Sequence, residues 1–449
     1  MIYILLIALI MMLAIAFICS KGDILSPWVI TCGVFLFCTL VASLNVNKWG
    51  FTLSPFTLII IIGGVLAFGA GEITISHAFD THFSHISKVQ ASSKEIISKR
   101  PIHIPFAVLL LVFLFMAAVV VGYFQKTYEI SLLGGNPGGY DLMLKYARDY
   151  LLTPGNTIGK VYGHLTLFCK MMFYIFTFVF IYNAVFVKFR PYFLLYLVPA
   201  VLYVCIGVIG TGRTFAIEIM AYMIVACFLM VKQRNNWSNR ETVIFITVAI
   251  IAVVVFLLLF TLLGYLTGKS QLRANPMEFI AYYTGMSIPS LDVYLKSAPK
   301  ENVIFGQETL YGIHSILRTL GFDLPIFTAP LEFVNFNGDN GNVYTSLRRY
   351  INDYGIIGMF ILQYLIGVFY SVIYKYVRYG RFSNFAIILY AFFAFALVMQ
   401  PIEENLLRIH VSTNLVYSLG YLGILYYLFI YLPLRPVKEK RRVQRRIRA

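Results

Sequence analysis

Three short stretches bring arginines together with glycines or carboxylates, in patterns suited to holding an anion or moving a proton. The first is IGVIGTGRTFAIEIMAY, where Arg213 follows Gly210 and Gly212 at the junction of two apolar runs. Glycines there let the backbone turn tightly. The N-terminus of the following helix adds a positive dipole end, and arginine beside such an end suits phosphate or another anion. The bland alternative is an arginine snorkelling at the membrane interface. The second stretch is NGDNGNVYTSLRRYINDYGIIGMF, residues 337–360, a turn cluster followed by an amphipathic approach to an apolar span. Arg348 and Arg349 are adjacent and are expected on different faces, whereas Tyr344 and Arg348 share one. Asp353 stands four residues after Arg349, either as a carboxylate beside a cationic surface or as half of an ordinary ion pair. The third stretch, PIEENLLRIH at 401–410, holds Glu403, Glu404, Arg408 and His410. Glu404 and Arg408 have the spacing of a helical ion pair, and a carboxylate or imidazole here could act as a general base.

Other polar residues complete the inventory. His314 and Arg318 are four apart in a loop that also contains Arg273. His314 is a possible base, although a lone loop histidine is more often simply exposed. HAFDTHFSH groups His77, Asp80, His82 and His85 without strict metal-ligand spacing, so no metal is expected. Glu72 and Glu218 fall within or near apolar spans, where they either relay protons or pair with polar neighbours. A Walker loop, a GxGxxG and an HExxH are all missing, so no cofactor is expected.

The elements that position these residues are membrane helices. Of 449 residues, 59% are hydrophobic and 12% charged, far below the roughly 25% charged residues of a soluble domain. Apolar stretches of about 20 residues recur along the chain. We read eleven spans, near 2–19, 27–45, 55–76, 104–124, 164–187, 191–211, 214–231, 242–265, 355–376, 384–400 and 413–434. The fold class is therefore all-α, one polytopic integral membrane domain over 1–449. The first span lacks the basic start and cleavage pattern of a signal peptide. The basic tail 435–449 is expected in the cytoplasm, against anionic lipid. The short loops KFRP, KQRNNWSNR and RYGRFSN then also fall inside and are all basic, which puts the N-terminus outside. Residues 125–163 and 266–354 become long outer-face loops, the second rich in short amphipathic segments. The net charge of +16 belongs largely to this topology and implies no nucleic-acid partner. All six cysteines lie in apolar stretches and read as small hydrophobes.

GTGRT at an outer mouth, a large late outer loop, and NVYTSLRRYINDYGIIG leading into a span together resemble the Wzy-type polymerases of O-antigen or capsule repeat units. The resemblance in sequence is confined to 210–216 and 342–358. It implies a GT-C-like polymerase/ligase architecture in a bacterial cytoplasmic membrane and an inverting glycosyl transfer at its outer face. The implied partners are undecaprenyl-pyrophosphate-linked glycans, membrane lipid and a chain-length regulator. Arg213 and Arg348 would then hold the leaving pyrophosphate, with Arg349, Arg318, Arg273, Arg408 and Tyr344 nearby. Asp353, His314 and Glu403 are rival bases. The alternatives are an O-antigen ligase or other lipid-linked glycosyltransferase, and a flippase for the same lipid-linked sugars.

Overall fold

The computed structural model describes residues 1–92, 100–153, 155–210, 214–238, 243, 246–247, 276–297, 302–325, 331–379 and 383–435, with the backbone alone for 80–92, 276–277, 279–280 and 383. Arg213, Arg273, most of the expected span 242–265 and the tail beyond Arg435 lie outside these residues. Among those described, nine helices are long and apolar enough to cross a membrane, and Asn384–Met399 is a shorter apolar helix. The membrane helices are α1 (Ile2–Cys19), α2 (Pro27–Leu44), α4 (Pro55–Ser92), α5 (Phe106–Leu133), α7 (Lys160–Phe186), α8 (Val198–Ile209, extended at its start by a 3-10 turn Pro191–Leu197), α9 (Thr214–Arg234), α13 (Ser346–Tyr379), α14 (Ser383–Met399) and α16 (Thr413–Tyr426). A π turn, Tyr427–Tyr431, prolongs α16. Short helices sit between them: α3 (Val46–Trp49), α6 (Met143–Leu152), α10 (Pro276–Gly285), α11 (Ser287–Lys296), α12 (Tyr311–Thr319) and α15 (Leu407–His410).

Burial follows side-chain pattern. Beyond Lys170, α7 is almost wholly apolar, and Met171 to Val179 are buried without a break, so it forms the centre of the bundle. α1 is apolar all round but buries only Ile2, Leu5, Leu9, Met12 and Ala16, a single stripe at helical spacing. Its remaining isoleucines face outward, as suits a helix bathed in lipid. The longest contact runs between α4 and α13. Gly71 meets the Tyr364 carbonyl and Gly367 meets the Phe68 carbonyl, each so closely that a Cβ would overlap the oxygen. Small residues let two membrane helices approach backbone to backbone in this way.

Two expected loops are shorter than the sequence suggested. α5 runs on to Leu133 and α7 begins at Lys160, so 125–163 is largely helix, with α6 between. Once a helix is nucleated each further residue adds a bond, and polarity alone does not stop it. Gly134, Gly135 (φ 90°) and Asn136 end α5; the Asn136 amide closes the turn onto Ser131 and Gly139. In the same way α4 continues to Ser92. The all-α expectation needs one amendment. Val334–Phe336 and Asp339–Gly341 form an antiparallel hairpin, with Phe336 opposite Asp339. Asn337 and Gly338 both have positive φ, the requirement of its two-residue turn.

Within α13, Gly355 breaks the helix at φ 70°, ψ −179°, a conformation open to glycine almost alone. It separates the amphipathic segment Ser346–Tyr354 from the apolar one, at the expected start of the span. Leucine at Gly367 or Gly71 is expected to destabilise the protein by about 1–3 kcal/mol or more through overpacking, read as a lower melting temperature in detergent. Gly420→Leu, with open space around its Cα, is expected to change little.

Candidate functional site

The first turn of α13 carries the densest charge among the described residues. Arg348 is fully buried, and its Nη1 donates to Glu308 while Nη2 donates to both Glu332 oxygens at 3.0 Å. Its guanidinium lies 4.6 Å from the Tyr294 ring and 5.5 Å from Tyr344. Arg349 donates from Nη1 to Glu308 at 3.2 Å, and from Nε and Nη2 to Glu403 at 3.0 and 2.6 Å. Arg408 joins the same Glu403 oxygen at 3.2 Å. The two adjacent arginines therefore do not diverge as expected. Both side chains are long enough to reach Glu308, which descends on them from the loop. Arg348, Arg349 and Arg408 are thus occupied by carboxylates and are not open cations awaiting a pyrophosphate.

The expected helical pairs are likewise replaced. Asp353 does not pair with Arg349. It accepts the N–H groups of Glu308 (3.0 Å) and Thr309 (2.8 Å) and the Thr309 hydroxyl (2.7 Å). Four-residue spacing allows an ion pair, but buried backbone donors have the stronger claim because leaving them unmet is costly. For the same reason Glu404 caps α15, accepting from Leu406, Leu407 and Arg408 N–H at 2.9, 2.7 and 2.8 Å and from the Tyr350 hydroxyl, and leaves the Arg408 side chain to Glu403. Burial pushes the Glu404 carboxyl above its usual range, against the pull of those donors.

The other candidates are also engaged. His314 is buried rather than exposed, with Nε2 3.1 Å from the Phe305 carbonyl. Arg318 donates to the Pro325 carbonyl at 2.9 Å and covers the Tyr311 ring. The Tyr344 hydroxyl donates to the Glu332 carbonyl. Asp353 and Glu403 thus already accept hydrogen bonds from their neighbours. Glu72 and Glu218 do pair with polar neighbours. Glu72 accepts from Ser26 and from Trp28 N–H at 2.7 Å, and Glu218 from Lys170 and the Tyr174 hydroxyl, both at 2.6 Å. Among the described residues no group of acids, histidines and cysteines could hold a metal ion, and the six cysteines are free.

The ionic lattice has a structural product. Glu308 and Thr309 immediately precede α12, so pinning them fixes that helix. Gly312 seats α12 against the Val411 carbonyl and Ser412. The same face of α12, at i+3 and i+7 from Gly312, presents Ser315 and Thr319 to a cavity of about 650 Å³, within the usual range for ligand pockets. The cavity is walled by α7, α8, the start of α9, α12 and α16. Gly210 and Thr214, on either side of 211–213, line it. Lys160 and Lys170 provide its cations, and His164 is the one histidine or carboxylate among its described lining residues. The His164 ring stands edge-on to Tyr417 at 4.5 Å.

Sequence reasoning missed Glu308, Glu332, Lys160, His164 and the cavity role of Lys170. A signal existed for Lys170, a charge at membrane depth. For the two glutamates there was only the general rule that buried arginines require carboxylates. Nothing in spacing joins α7 to α12.

Arg348→Met, which leaves Glu308 and Glu332 facing one another, is expected to cost about 3–5 kcal/mol, measured as loss of thermal stability in detergent. A pH effect should accompany it. His410 packs between Phe392 and Phe393, and burial, aided by the Lys170 ammonium, pushes its imidazole down to about 3. The unfolded chain takes this proton near pH 6.5 and the folded one only near 3, so the contribution of His410 to stability is constant above 6.5 and is lost as pH drops between those values. His410→Gln is expected to flatten that acid limb of the melting curve. Comparison of the chain with family models, curated proteins and solved structures finds no match.

Proposed function

We propose that the chain is an inverting glycosyltransferase that polymerises undecaprenyl-pyrophosphate-linked oligosaccharide repeat units into O-antigen or capsule. It does so at the outer face of a bacterial cytoplasmic membrane. The observation that carries this reading is the cavity. It is large enough for sugar rings, it abuts both ends of the GTGRT segment, and its described lining combines lysines, aromatic rings, hydroxyls and one histidine without a carboxylate. The GT-C-like architecture, eleven spans and outward N-terminus belong to the same proposal.

In this reading Arg213 receives the pyrophosphate, and Arg348, Arg349 and Arg408 hold the cavity wall in place. The acceptor hydroxyl oxygen attacks the anomeric carbon of the donor. The bond from that carbon to the phosphate oxygen breaks, and undecaprenyl pyrophosphate leaves with its negative charge met by guanidinium. The hydroxyl proton passes to His164, which replaces Asp353, His314 and Glu403 as the base because it alone stands in the cavity.

The test is polymerisation of purified lipid-linked repeat units. Arg213→Ala and His164→Gln are expected to lower the rate at least about a hundredfold, in the range of lost charge stabilisation or general-base catalysis, with the protein still folded. Arg213→Lys should rescue poorly, since an ammonium cannot grip phosphate bidentately. Near-normal rates would refute these roles. In cells lacking the chain, single capped repeat units support a polymerase. Unattached long polymer would indicate a ligase, and lipid-linked units held inside a flippase. Reporter fusions after Ala298 and Gly380 should report opposite sides of the membrane.

A further inference from the structure

The floor of the cavity is lined by two polar residues that the transfer step does not use, Lys170 and Tyr203, and Lys170 is backed by Glu218. Lys170 lies ten residues into α7 beyond Lys160, about 15 Å along the helix, and lines the cavity at depth. Its ammonium is held by Glu218 of α9 at 2.6 Å. Glu218 is itself more than nine-tenths buried. It also takes the Tyr174 hydroxyl at 2.6 Å, and Tyr174 is in turn fixed by the Tyr222 hydroxyl on its carbonyl at 2.7 Å. Tyr203 lines the cavity and stacks on Phe173 at 5.2 Å. Helix packing alone does not call for this arrangement. An ion pair inside a membrane bundle is costly, and an apolar pair of similar volume would join α7 and α9 as well.

We propose that this floor is a sugar-reading subsite, in which Lys170, held in place by Glu218, and Tyr203 bind the hydroxyls of an uncharged pyranose. The inference rests on the glycosyltransferase reading and assigns its acceptor specificity. Lys170 has donors left after its bond to Glu218, and the Tyr203 hydroxyl can both donate and accept. An ammonium and a phenol hydroxyl lining one floor match the hydroxyls of a sugar ring. The pair is neutral as a unit, so an anionic group gains little there and meets the Glu218 charge. Aromatic rings at Tyr123, Tyr203 and Phe215 supply apolar surface for the C–H faces of a ring. A sugar seated on this floor would place the groups above it beside His164, six residues nearer the start of α7. The floor thus selects the non-reducing terminal sugar of the acceptor and sets which of its hydroxyls reacts.

The experiment has a binding arm and a kinetic arm. In the first, thermal stability of the detergent-solubilised protein is measured with millimolar methyl glucoside, galactoside and mannoside, with methyl rhamnoside as a deoxy comparison, and with inorganic pyrophosphate. At least one neutral glycoside is expected to stabilise the wild type. Lys170→Gln and Glu218→Gln should abolish this, whereas the pyrophosphate response should survive both. Tyr203→Phe, the mildest change, should weaken it if either charged variant fails to fold. No stabilisation of the wild type by any glycoside would overturn the proposal. So would glycoside binding that is unchanged in the variants, or a pyrophosphate response lost with Lys170→Gln, which would make the floor an anion site. In the second arm, polymerisation with lipid-linked units is expected to show an acceptor KM raised about tenfold in Tyr203→Phe, with kcat largely kept. A fall in kcat alone would overturn the assignment. Glycoside binding without any polymerisation by the wild type would sink the polymerase reading and leave the sugar site standing.

Discussion

A guanidinium without water must be surrounded by acceptors, and Arg348 imposes that constraint on half of this molecule. Its side chain is about 1% exposed and lies on the Tyr294 ring. Its two main acceptors, Glu308 and Glu332, come from the segment preceding α13, 40 and 16 residues away in sequence. Arg349 and Arg408 extend the lattice through Glu403 to the connection between α14 and α15. Removing Arg348 takes the guanidinium from Glu332, and removing Glu308 takes a partner from both Arg348 and Arg349, so the members hold one another in register. The loop consequently has one arrangement over the bundle instead of many, and α12 inherits that order.

This divides labour between two sets of polar residues. Arg348, Arg349 and Arg408, which look chemical in the sequence, are filled by carboxylates and hold the wall. Lysines and a histidine that look incidental, on an otherwise apolar α7, face the cavity. The division has an energetic logic. Groups that bind and release a ligand need free hydrogen-bonding capacity, whereas groups that fix a loop must have theirs filled.

Hydropathy made the membrane helices legible because lipid demands a continuous apolar run and internal backbone bonds. The ends of α1, α2 and α14 fall within a residue or two of expectation. The ends of α4 and α5 do not, because a helix leaving the membrane has no reason to stop where hydrophobicity does. The Gly355 break coincides with the expected start of its span, since glycine signals it directly. The site was less legible. Arg213, Arg348 and Glu403 stood out by residue type, but type does not tell an occupied charge from a free one. The partners Glu308 and Glu332 are brought in by tertiary structure alone. The hairpin at 334–341 escaped because its strands are only three residues long, while its turn was plain from Asn337-Gly338.

The glycine contacts between α4 and α13 bear on how the protein meets bilayers of different thickness. Where backbone rests on backbone, neither helix can slide or tilt without driving a carbonyl into a Cα. These two helices therefore act as a rigid keel of fixed apolar height. A thinner or thicker bilayer must then deform around the keel, or be accommodated by helices with looser seating. α1, held by a single stripe of side chains, is free to change its tilt. Hydrophobic mismatch is thus borne at the periphery of the bundle, while the helices that carry the lattice keep their spacing.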